Sequence, residues 1–250
     1  MSKLSGKVAV VTGGNSGIGY ASAKEFKDQG ADVIITGRNK ERVDAAAAEL
    51  GVTGLIADVS DVSAIEKMVD EVKSLKGKVD ILFVNAGVFF GSPIGMMTEE
   101  HYDHIMDINF KGAVFTLDKF APILNDGASV INLSSVNAYS SMPNASIYSA
   151  SKAAMNAFSR AAAVEFAPRG IRVNVVNPGP VSTPIFGKTG MTEEDMQGMA
   201  QSIQSSVPLG RFGESEEIAK LVGFLASNNA SYITGAEYNV DGGTILQPIV

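Results

Sequence analysis

Short apolar runs alternate with segments of helical periodicity along most of the chain. Six such runs are present: Lys7–Val11, Asp32–Thr36, Gly54–Ala57, Val79–Val84, Ala128–Leu133 and Ile171–Val176. Runs this apolar are typical of parallel strands that are covered on both faces. Repeated strand and helix units with right-handed crossovers predict an α/β fold with a doubly wound, mostly parallel sheet. The run Ala236–Val240 is predicted to add one edge strand.

Composition limits the class of protein. The chain has 250 residues, 26 Gly and 9 Pro without a linker-like cluster, so we expect one domain, residues 1–250. It has no Cys, which excludes disulfides, thiolate metal sites and cysteine nucleophiles. A net charge of −7 without a basic block argues against a nucleic-acid partner. No apolar run is long enough for a membrane span and no signal-type segment is visible, so we expect a cytoplasmic protein.

The first strand ends in a glycine-rich turn. Gly13, Gly17 and Gly19 stand between the apolar run Lys7–Val11 and a segment with helical spacing. Glycines let the backbone approach a pyrophosphate closely, and a helix N-terminus offers free N–H groups and a positive dipole end. Although the spacing departs from G-x-G-x-x-G, the position is that of a dinucleotide-binding turn. A simple tight turn is the alternative.

Tyr148 and Lys152 lie four residues apart in a predicted helix, so they share one helical face. An ammonium held beside a phenol stabilises the phenolate and lowers the tyrosine pKa from about 10. We therefore expect Tyr148 to act as an acid or base near neutral pH. The alternative is an ordinary surface pair. Ser135 follows the run Ala128–Leu133 and belongs at the carboxyl edge of the sheet, where such folds bind ligands.

Several motifs occur together in one order. They are the glycine turn after Thr12, Asn85-Ala86-Gly87, Ser135 thirteen residues before Tyr148, Lys152, and Pro178-Gly179. In this order and spacing the chain resembles the classical short-chain dehydrogenase/reductase family, whose members have a Rossmann-like domain. The resemblance covers nearly the whole chain. One departure is Val84, which stands where the family usually has Asn, so a side-chain contribution is lost there.

The resemblance implies roles for individual residues. Tyr148 exchanges a proton with the substrate oxygen, Lys152 binds the nicotinamide ribose, and Ser135 orients the carbonyl and stabilises developing charge. Asn109 holds a water that relays protons from Lys152. The implied cofactor-binding residues are Gly13, Asn15, Ser16, Gly17, Ile18, Gly19, Arg38, Asp58, Val59, Asn85, Ala86, Gly87, Tyr148, Lys152, Pro178, Gly179, Val181 and Thr183.

Some of these residues have a structural alternative. Asn109 can satisfy local backbone groups only. Asp58 can cap the next helix instead of contacting adenine. His101 and His104 lie three residues apart, but no third ligand is implied, so we expect a solvated helix face and no metal site.

The end of the second strand indicates the cofactor. NAD-dependent folds of this type generally place an acidic residue there to bind the ribose 2′-hydroxyl. Here that position is Gly37 and the next residue is Arg38, a guanidinium suited to a 2′-phosphate. Asn15 and Asn39 can add neutral donors. The expected cofactor is therefore NADP(H), the alternative being a solvent-exposed Arg38.

The combined prediction is an NADP(H)-dependent oxidoreductase that interconverts a ketone or aldehyde with an alcohol. A cofactor-binding regulator of the same fold and an epimerase or dehydratase are the rival hypotheses. The expected substrate is small, neutral and largely apolar, because the residues near the expected pocket carry few charges: Phe89, Phe90, Tyr139, Met142 and Phe186. The resemblance also implies a substrate lid at residues 184–208, containing Met191, Met196 and Met199, and a homotetramer. Its predicted interface comprises the Tyr148 helix, with Ala153, Ala154, Ala157, Ala161 and Ala162, and a helix Phe110–Leu124.

Overall fold

A computed structural model describes residues 3–140, 142–183, 198 and 201–246. The predicted lid, residues 184–208, lies mostly outside this described part. The secondary structure of the first half runs β1 Val8–Thr12, α1 Gly17–Asp28, β2 Asp32–Gly37, α2 Lys40–Leu50, β3 Thr53–Ile56, α3 Val62–Lys76 and β4 Val79–Val84. The second half runs α4 Glu99–Met106, α5 Gly112–Phe120, β5 Leu124–Leu133, α6 Ser146–Phe166, β6 Arg172–Pro178, α7 Ser215–Ala226 and β7 Glu237–Val240.

The strands form one seven-stranded sheet in the order β3-β2-β1-β4-β5-β6-β7. All six pairings between neighbouring strands are parallel. The strand order reverses direction between β1 and β4, which lie side by side although two strands separate them in sequence. The predicted doubly wound parallel sheet is confirmed, with β7 as the expected edge strand.

Alternate residues of the central strands point to opposite faces, and both faces are buried. In β1, Val10 packs into one core with α3, α5 and α6, whereas Ala9 and Val11 pack into a second core with α1, α2 and α7. These strands show no polar alternation because helices cover the sheet on both sides. The carboxyl edge of the sheet is left uncovered at the reversal between β1 and β4, which is where open α/β sheets bind ligands.

Two element boundaries differ from the sequence-based prediction. The predicted helix Phe110–Leu124 is interrupted, because Asp107–Lys111 form a π-helical turn and α5 ends at Phe120. A short 3₁₀ helix follows, and Leu124 already begins β5. None of the helices among the described residues combines the length and hydrophobicity that a bilayer-spanning segment needs.

Candidate active site

A cavity of about 1340 Å³ lies at the carboxyl edge of the sheet. It brings together residues that are far apart in sequence, from the glycine turn, the end of β2, the loop after β4 and the N-terminal part of α6. The predicted site residues that line it are Gly13, Asn15, Ser16, Gly17, Ile18, Arg38, Asp58, Val59, Asn85, Ala86, Gly87, Ser135, Tyr148, Lys152, Pro178, Gly179, Val181 and Thr183. Gly19 and Asn109 lie behind this wall.

The glycine turn has the geometry that a phosphate group requires. Gly13 and Gly17 have φ of 66° and 52°, in the left-handed region that favours glycine. A Cβ at Gly19 would lie 2.3 Å from the Gly13 carbonyl oxygen, so only glycine allows α1 to approach the turn this closely. Ser16 precedes α1 without a side-chain cap. Among the described residues nothing accepts from the Gly17, Ile18 or Gly19 amides, which leaves them free for an anion.

Thr12 and Asn85 connect the turn to the end of β4. The Asn85 side-chain Nδ2 donates to the carbonyls of Thr12 and Gly13 at 2.8 and 3.1 Å. In return, the Thr12 hydroxyl accepts from the amides of Asn85 and Ala86 at 3.0 and 3.2 Å. Val84, the departure from the family pattern, is buried in the core, so Asn85 supplies the side-chain contacts at this point.

Tyr148 is half-buried at the cavity wall, where its ring meets Phe89 edge-on at a centroid distance of 5.1 Å. Burial raises the pKa of Tyr148 above its usual value, and a side-chain hydrogen bond with Ser135 opposes this shift without reversing it. The prediction that the pKa of Tyr148 is lowered is therefore wrong in this structure. The tyrosine is a neutral phenol through the physiological pH range.

Lys152 is buried beneath Tyr148. Its Nζ donates to the carbonyl of Leu133 at 3.0 Å and lies 5.7 Å from the Tyr148 ring centroid. Burial lowers the pKa of Lys152 from 10.5 to about 8, because the charged ammonium loses solvation. Ser134 helps to fix the position of α6, because its hydroxyl donates to the carbonyl of Lys152 at 3.0 Å.

Asn109 lies in the π-helical turn and is buried. Its Oδ1 accepts from the Val88 amide at 2.8 Å, and its Nδ2 donates to the Val88 carbonyl at 2.9 Å and to the Ser151 hydroxyl at 3.3 Å. These contacts are those of the structural alternative. They hold the segment after Gly87 against α6. A Cβ on Gly87 would lie 3.3 Å from Asn109 Oδ1 and 3.6 Å from Lys152 Nζ, so the three residues are neighbours.

Two arginines, not one, line the cavity near the end of β2: Arg38 follows the strand, and Arg42 lies in the first turn of α2. Arg38 and Arg42 both line the cavity and are exposed, and neither forms an ion pair with another described residue. Arg42 was not predicted, although its position four residues after Arg38 was a usable signal. The side chain of Asn39 caps α2 by accepting from the Arg42 amide at 2.9 Å. A Cβ on Gly37 would lie 2.6 Å from Asn15 Oδ1, so Asn15 occupies the space that a side chain at position 37 would need.

Asp58 does not cap the following helix. Its Oδ1 accepts from the Ser60 amide and hydroxyl at 3.0 and 2.7 Å, whereas the N-cap of α3 is Asp61. The helix-cap alternative for Asp58 is therefore wrong. At the other end of the cavity, the Gly179 amide donates to the Val240 carbonyl at 3.0 Å, so the turn after β6 packs on the end of β7.

The turn after β7 contributes lining residues that sequence reasoning missed. Asp241 accepts from the amides of Gly243 and Ile245 and orders this turn, and Thr244 and Ile245 line the cavity. Of the predicted pocket residues, Phe89, Tyr139 and Met142 line it as well. Phe90 does not, because its ring packs against His104 at 5.1 Å. Phe186, Met191, Met196 and Met199 lie outside the described residues.

The depressed pKa of Lys152 makes a stability prediction. Between pH 8 and 10.5 the folded protein releases this proton while the unfolded chain retains it, so the free energy of unfolding rises with pH. Lys152→Met removes this pH-dependent contribution, which is on the order of 3 kcal/mol. We expect the stability of the wild type relative to Lys152→Met to increase between pH 8 and pH 10 in urea denaturation. A difference that stays constant over this range would contradict the buried, depressed ammonium.

Comparisons with known proteins agree with this geometry. The family model described as enoyl-(acyl carrier protein) reductase matches residues 13–244. The NADP-dependent (R)-specific alcohol dehydrogenase of Lentilactobacillus kefiri is 35% identical, covering 98% of this chain and 99% of that protein. A short-chain dehydrogenase/reductase from Serratia marcescens has a TM-score of 0.89 at 34% identity, covering 97% of this chain and 99% of its own. A blue fluorescent protein from a metagenomic library, solved with NADPH, has a TM-score of 0.89 at 32% identity, with 97% and 99% covered. With the parallel sheet, the glycine turn and the Ser135–Tyr148–Lys152 group in place, these matches show that the chain belongs to the short-chain dehydrogenase/reductase family of oxidoreductases.

Proposed function

We propose that the protein is an NADP(H)-dependent oxidoreductase that interconverts a small ketone or aldehyde with the corresponding alcohol. The main support for this proposal is the set of side chains that line one continuous cavity. Two hydroxyl groups, on Ser135 and Tyr148, meet at one part of it. Near the end of β2 stand Arg38 and Arg42, neither of which pairs with a carboxylate in the described part of the chain. This arrangement fits a dinucleotide that extends across the carboxyl edge of the sheet, with its phosphates at the free amides of α1.

The position of each residue in the cavity suggests its role in the reaction. The bound nicotinamide cofactor supplies or accepts the hydride. Ser135 is placed to hydrogen-bond the substrate oxygen, and Tyr148 is placed to give or take the proton on that oxygen. Lys152, beneath them, is placed to bind the nicotinamide ribose hydroxyls. We also propose that Asn109 holds a water that relays protons from Lys152. Because the Asn109 side chain is bound to Val88 and Ser151, this water would be held by the backbone of the π-helical turn.

The raised pKa of Tyr148 gives the two directions of the reaction different pH dependences. A phenol that keeps its proton through neutral pH is ready to donate it to a carbonyl oxygen as an alcohol forms. For alcohol oxidation the same residue must first lose the proton. The rate of oxidation should therefore rise with pH above neutrality, whereas the rate of reduction should stay flat there.

Two rival functions use the same fold. A cofactor-binding regulator would keep the cavity but needs no acid, and here Asn109, Ser135, Tyr148 and Lys152 are all present. An epimerase or dehydratase would transfer hydride to the cofactor and back within one cycle, so its overall reaction would be redox-neutral and would consume no NADPH. Net consumption of NADPH with a carbonyl substrate separates the proposed reaction from both.

The proposed location of the protein is the cytoplasm.

Removing one hydroxyl tests the acid role. Tyr148→Phe keeps the ring contact with Phe89 and leaves Lys152 in place, so the affinity for NADPH should change less than about twofold. The reaction should slow by at least about 100-fold, because the substrate oxygen loses its proton donor. The measurement is absorbance at 340 nm with a panel of ketones and aldehydes. Tyr102→Phe, on an exposed helix outside the cavity, is the matched control. Retention of more than a tenth of the wild-type kcat in Tyr148→Phe would remove Tyr148 from this role.

The preference for NADP(H) rests on charge at the end of β2. Arg38 and Arg42 lie beside Gly37, where no carboxylate repels a phosphate or binds a 2′-hydroxyl. A charge-assisted hydrogen bond contributes roughly 1.5–3 kcal/mol, so NADPH should be favoured over NADH by about ten- to a hundred-fold. The names of the Lentilactobacillus relative and of the NADPH-bound structure support this choice.

Substitutions at Gly37 and Arg42 test cofactor choice. Gly37→Asp should erode or reverse the preference, because the new carboxylate repels phosphate and accepts from the 2′-hydroxyl. Since any side chain at this position meets Asn15, Gly37→Ala is needed as the steric control and should retain the preference. Arg42→Ala should lower kcat/KM for NADPH by about tenfold and leave that for NADH unchanged. Equal kcat/KM values for the two cofactors in the wild type would refute the assignment.

The proposed assembly is a homotetramer in which α5 and α6 pack against their copies. On α6, Ala153, Ala157 and Ala161 are exposed, and Val164 is 74% exposed. Ala154 is half-buried. Ala162 was predicted on this face, but it is buried in the core of its own chain, so it does not belong to the interface. The remaining small residues allow two helices to approach closely.

A charge placed on this face tests the assembly. We expect light scattering at micromolar concentration to give about four times the chain mass of 26.1 kDa. Ala157→Glu should reduce the observed mass, because it buries a carboxylate between helices. Ala45→Glu introduces the same charge at an exposed alanine of α2 and should leave the mass unchanged. A wild-type protein of 26.1 kDa would contradict the proposal.

A further inference from the structure

A polar cluster lies behind the cavity wall, along α6 beyond Lys152. Asn156 follows Lys152 by four residues and Arg160 follows Asn156 by four, so they continue the helical stripe that begins with Tyr148. Glu237, on the edge strand β7, faces this stripe and forms an ion pair with Arg160. Tyr139 connects the cluster to the cavity, since its ring lines the cavity and its hydroxyl contacts Glu237.

The hydroxyl of Tyr139 has a full set of partners on the side away from the cavity. It donates to the Glu237 carboxylate. It accepts from the side-chain amides of Asn156 and Asn177 at 3.0 and 3.3 Å. A phenolic hydroxyl has one proton and two lone pairs, so these contacts use its entire capacity. The hydroxyl therefore has none left for a ligand, and the cavity receives the apolar ring of Tyr139.

The Glu237 carboxylate binds three side chains of this cluster, one of which is Tyr139. The Asn156 amide donates to the same carboxylate at 2.8 Å, and Arg160 binds its other oxygen. The Glu237 side chain is only 15% exposed, whereas Tyr139 is 53% exposed. A half-exposed ring that follows a short 3₁₀ helix has little packing of its own, so its orientation depends on the hydrogen bonds at its far end.

We propose that Tyr139 is a specificity-determining residue for substrates with an apolar or aromatic group, and that Glu237 is the positioning residue that holds its ring. This inference rests on the proposed function, because it places the larger substituent of the carbonyl compound against that ring. Tyr139 lies four residues after Ser135 in the same cavity-lining segment, so its ring borders the place where the substrate oxygen binds. A fixed aromatic face costs little entropy on binding, which is why its anchor affects affinity.

The test measures ligand affinity separately from turnover. Acetophenone is titrated by calorimetry into the protein saturated with the oxidised cofactor, a complex that cannot reduce it. Glu237→Ala should weaken acetophenone binding about tenfold and change the cofactor Kd by less than about twofold. Glu237→Gln keeps an oxygen for the Tyr139 proton and should recover most of the affinity. Tyr139→Phe keeps the carboxylate and the fold of β7, and should weaken binding to a similar extent as Glu237→Ala.

Controls separate positioning from a general loss of structure. Glu66→Ala also removes a carboxylate that pairs with a partly exposed cation, Lys119, but far from the cavity, and should leave acetophenone binding unchanged. The double variant Tyr139→Phe with Glu237→Ala should be no weaker than the single variants, because both remove the same contact. Butanone has no ring, so its KM should change less than about twofold in the single variants, the double variant and the Glu66→Ala control.

The outcomes distinguish the two proposals. Unchanged acetophenone affinity in Glu237→Ala and Tyr139→Phe, or additive losses in the double variant, would overturn the positioning role. Failure of the wild type to bind acetophenone would overturn the proposal that the Tyr139 ring contacts an aromatic group of the substrate. Binding with the expected losses, but without turnover of any carbonyl by the wild type, would support Tyr139 and Glu237 and contradict the proposed reaction.

Discussion

The reciprocal hydrogen bonds between Thr12 and Asn85 join the two strands at which the sheet reverses its order. β1 and β4 are parallel neighbours with different crossover directions, so their carboxyl ends diverge into separate loops. Four hydrogen bonds between Thr12, Gly13, Asn85 and Ala86 keep those loops together. Because Thr12 is fully buried, leaving any of these groups unpaired would cost about 1–3 kcal/mol. The glycine turn and the loop that contacts Asn109 are thereby fixed relative to each other.

Burial of Tyr148 and Lys152 determines their protonation states in the cavity. The low-dielectric surroundings raise the pKa of Tyr148 and lower that of Lys152, so both groups move toward their neutral forms. A protonated phenol next to the Ser135 hydroxyl forms a site rich in donors for a substrate oxygen. Helix α6 carries Tyr148 and, farther along the same stripe, Asn156, which binds the Tyr139 hydroxyl together with Glu237 of β7. This helix therefore positions the Tyr148 hydroxyl and contributes to the orientation of the Tyr139 ring at the cavity.

Much of the fold and part of the site followed from the sequence. Hydrophobic runs identified all seven strands, because strands buried on both faces have no polar interruptions. The π-helical turn at Asp107–Lys111 was missed since its residues keep helical spacing and its extra residue leaves no compositional mark. Ser135, Tyr148 and Lys152 were found through their spacing. The pKa shifts of Tyr148 and Lys152 could not be predicted from the sequence, because desolvation depends on which parts of the fold cover a residue. Arg42, four residues after Arg38, could have been found from the sequence. Thr244 and the Tyr139–Glu237 contact involve elements distant in sequence, and no local pattern reports such contacts.

The central claim is that this cavity transfers hydride from NADPH to a carbonyl carbon. The most direct measurement uses the two NADPH isotopomers deuterated on either face of nicotinamide C4, with the product analysed by mass spectrometry and NMR. The account predicts one deuterium on the carbinol carbon from one isotopomer and none from the other, because a fixed site presents a single face of the cofactor. An alcohol product without deuterium from either isotopomer would contradict it, and so would equal labelling from both.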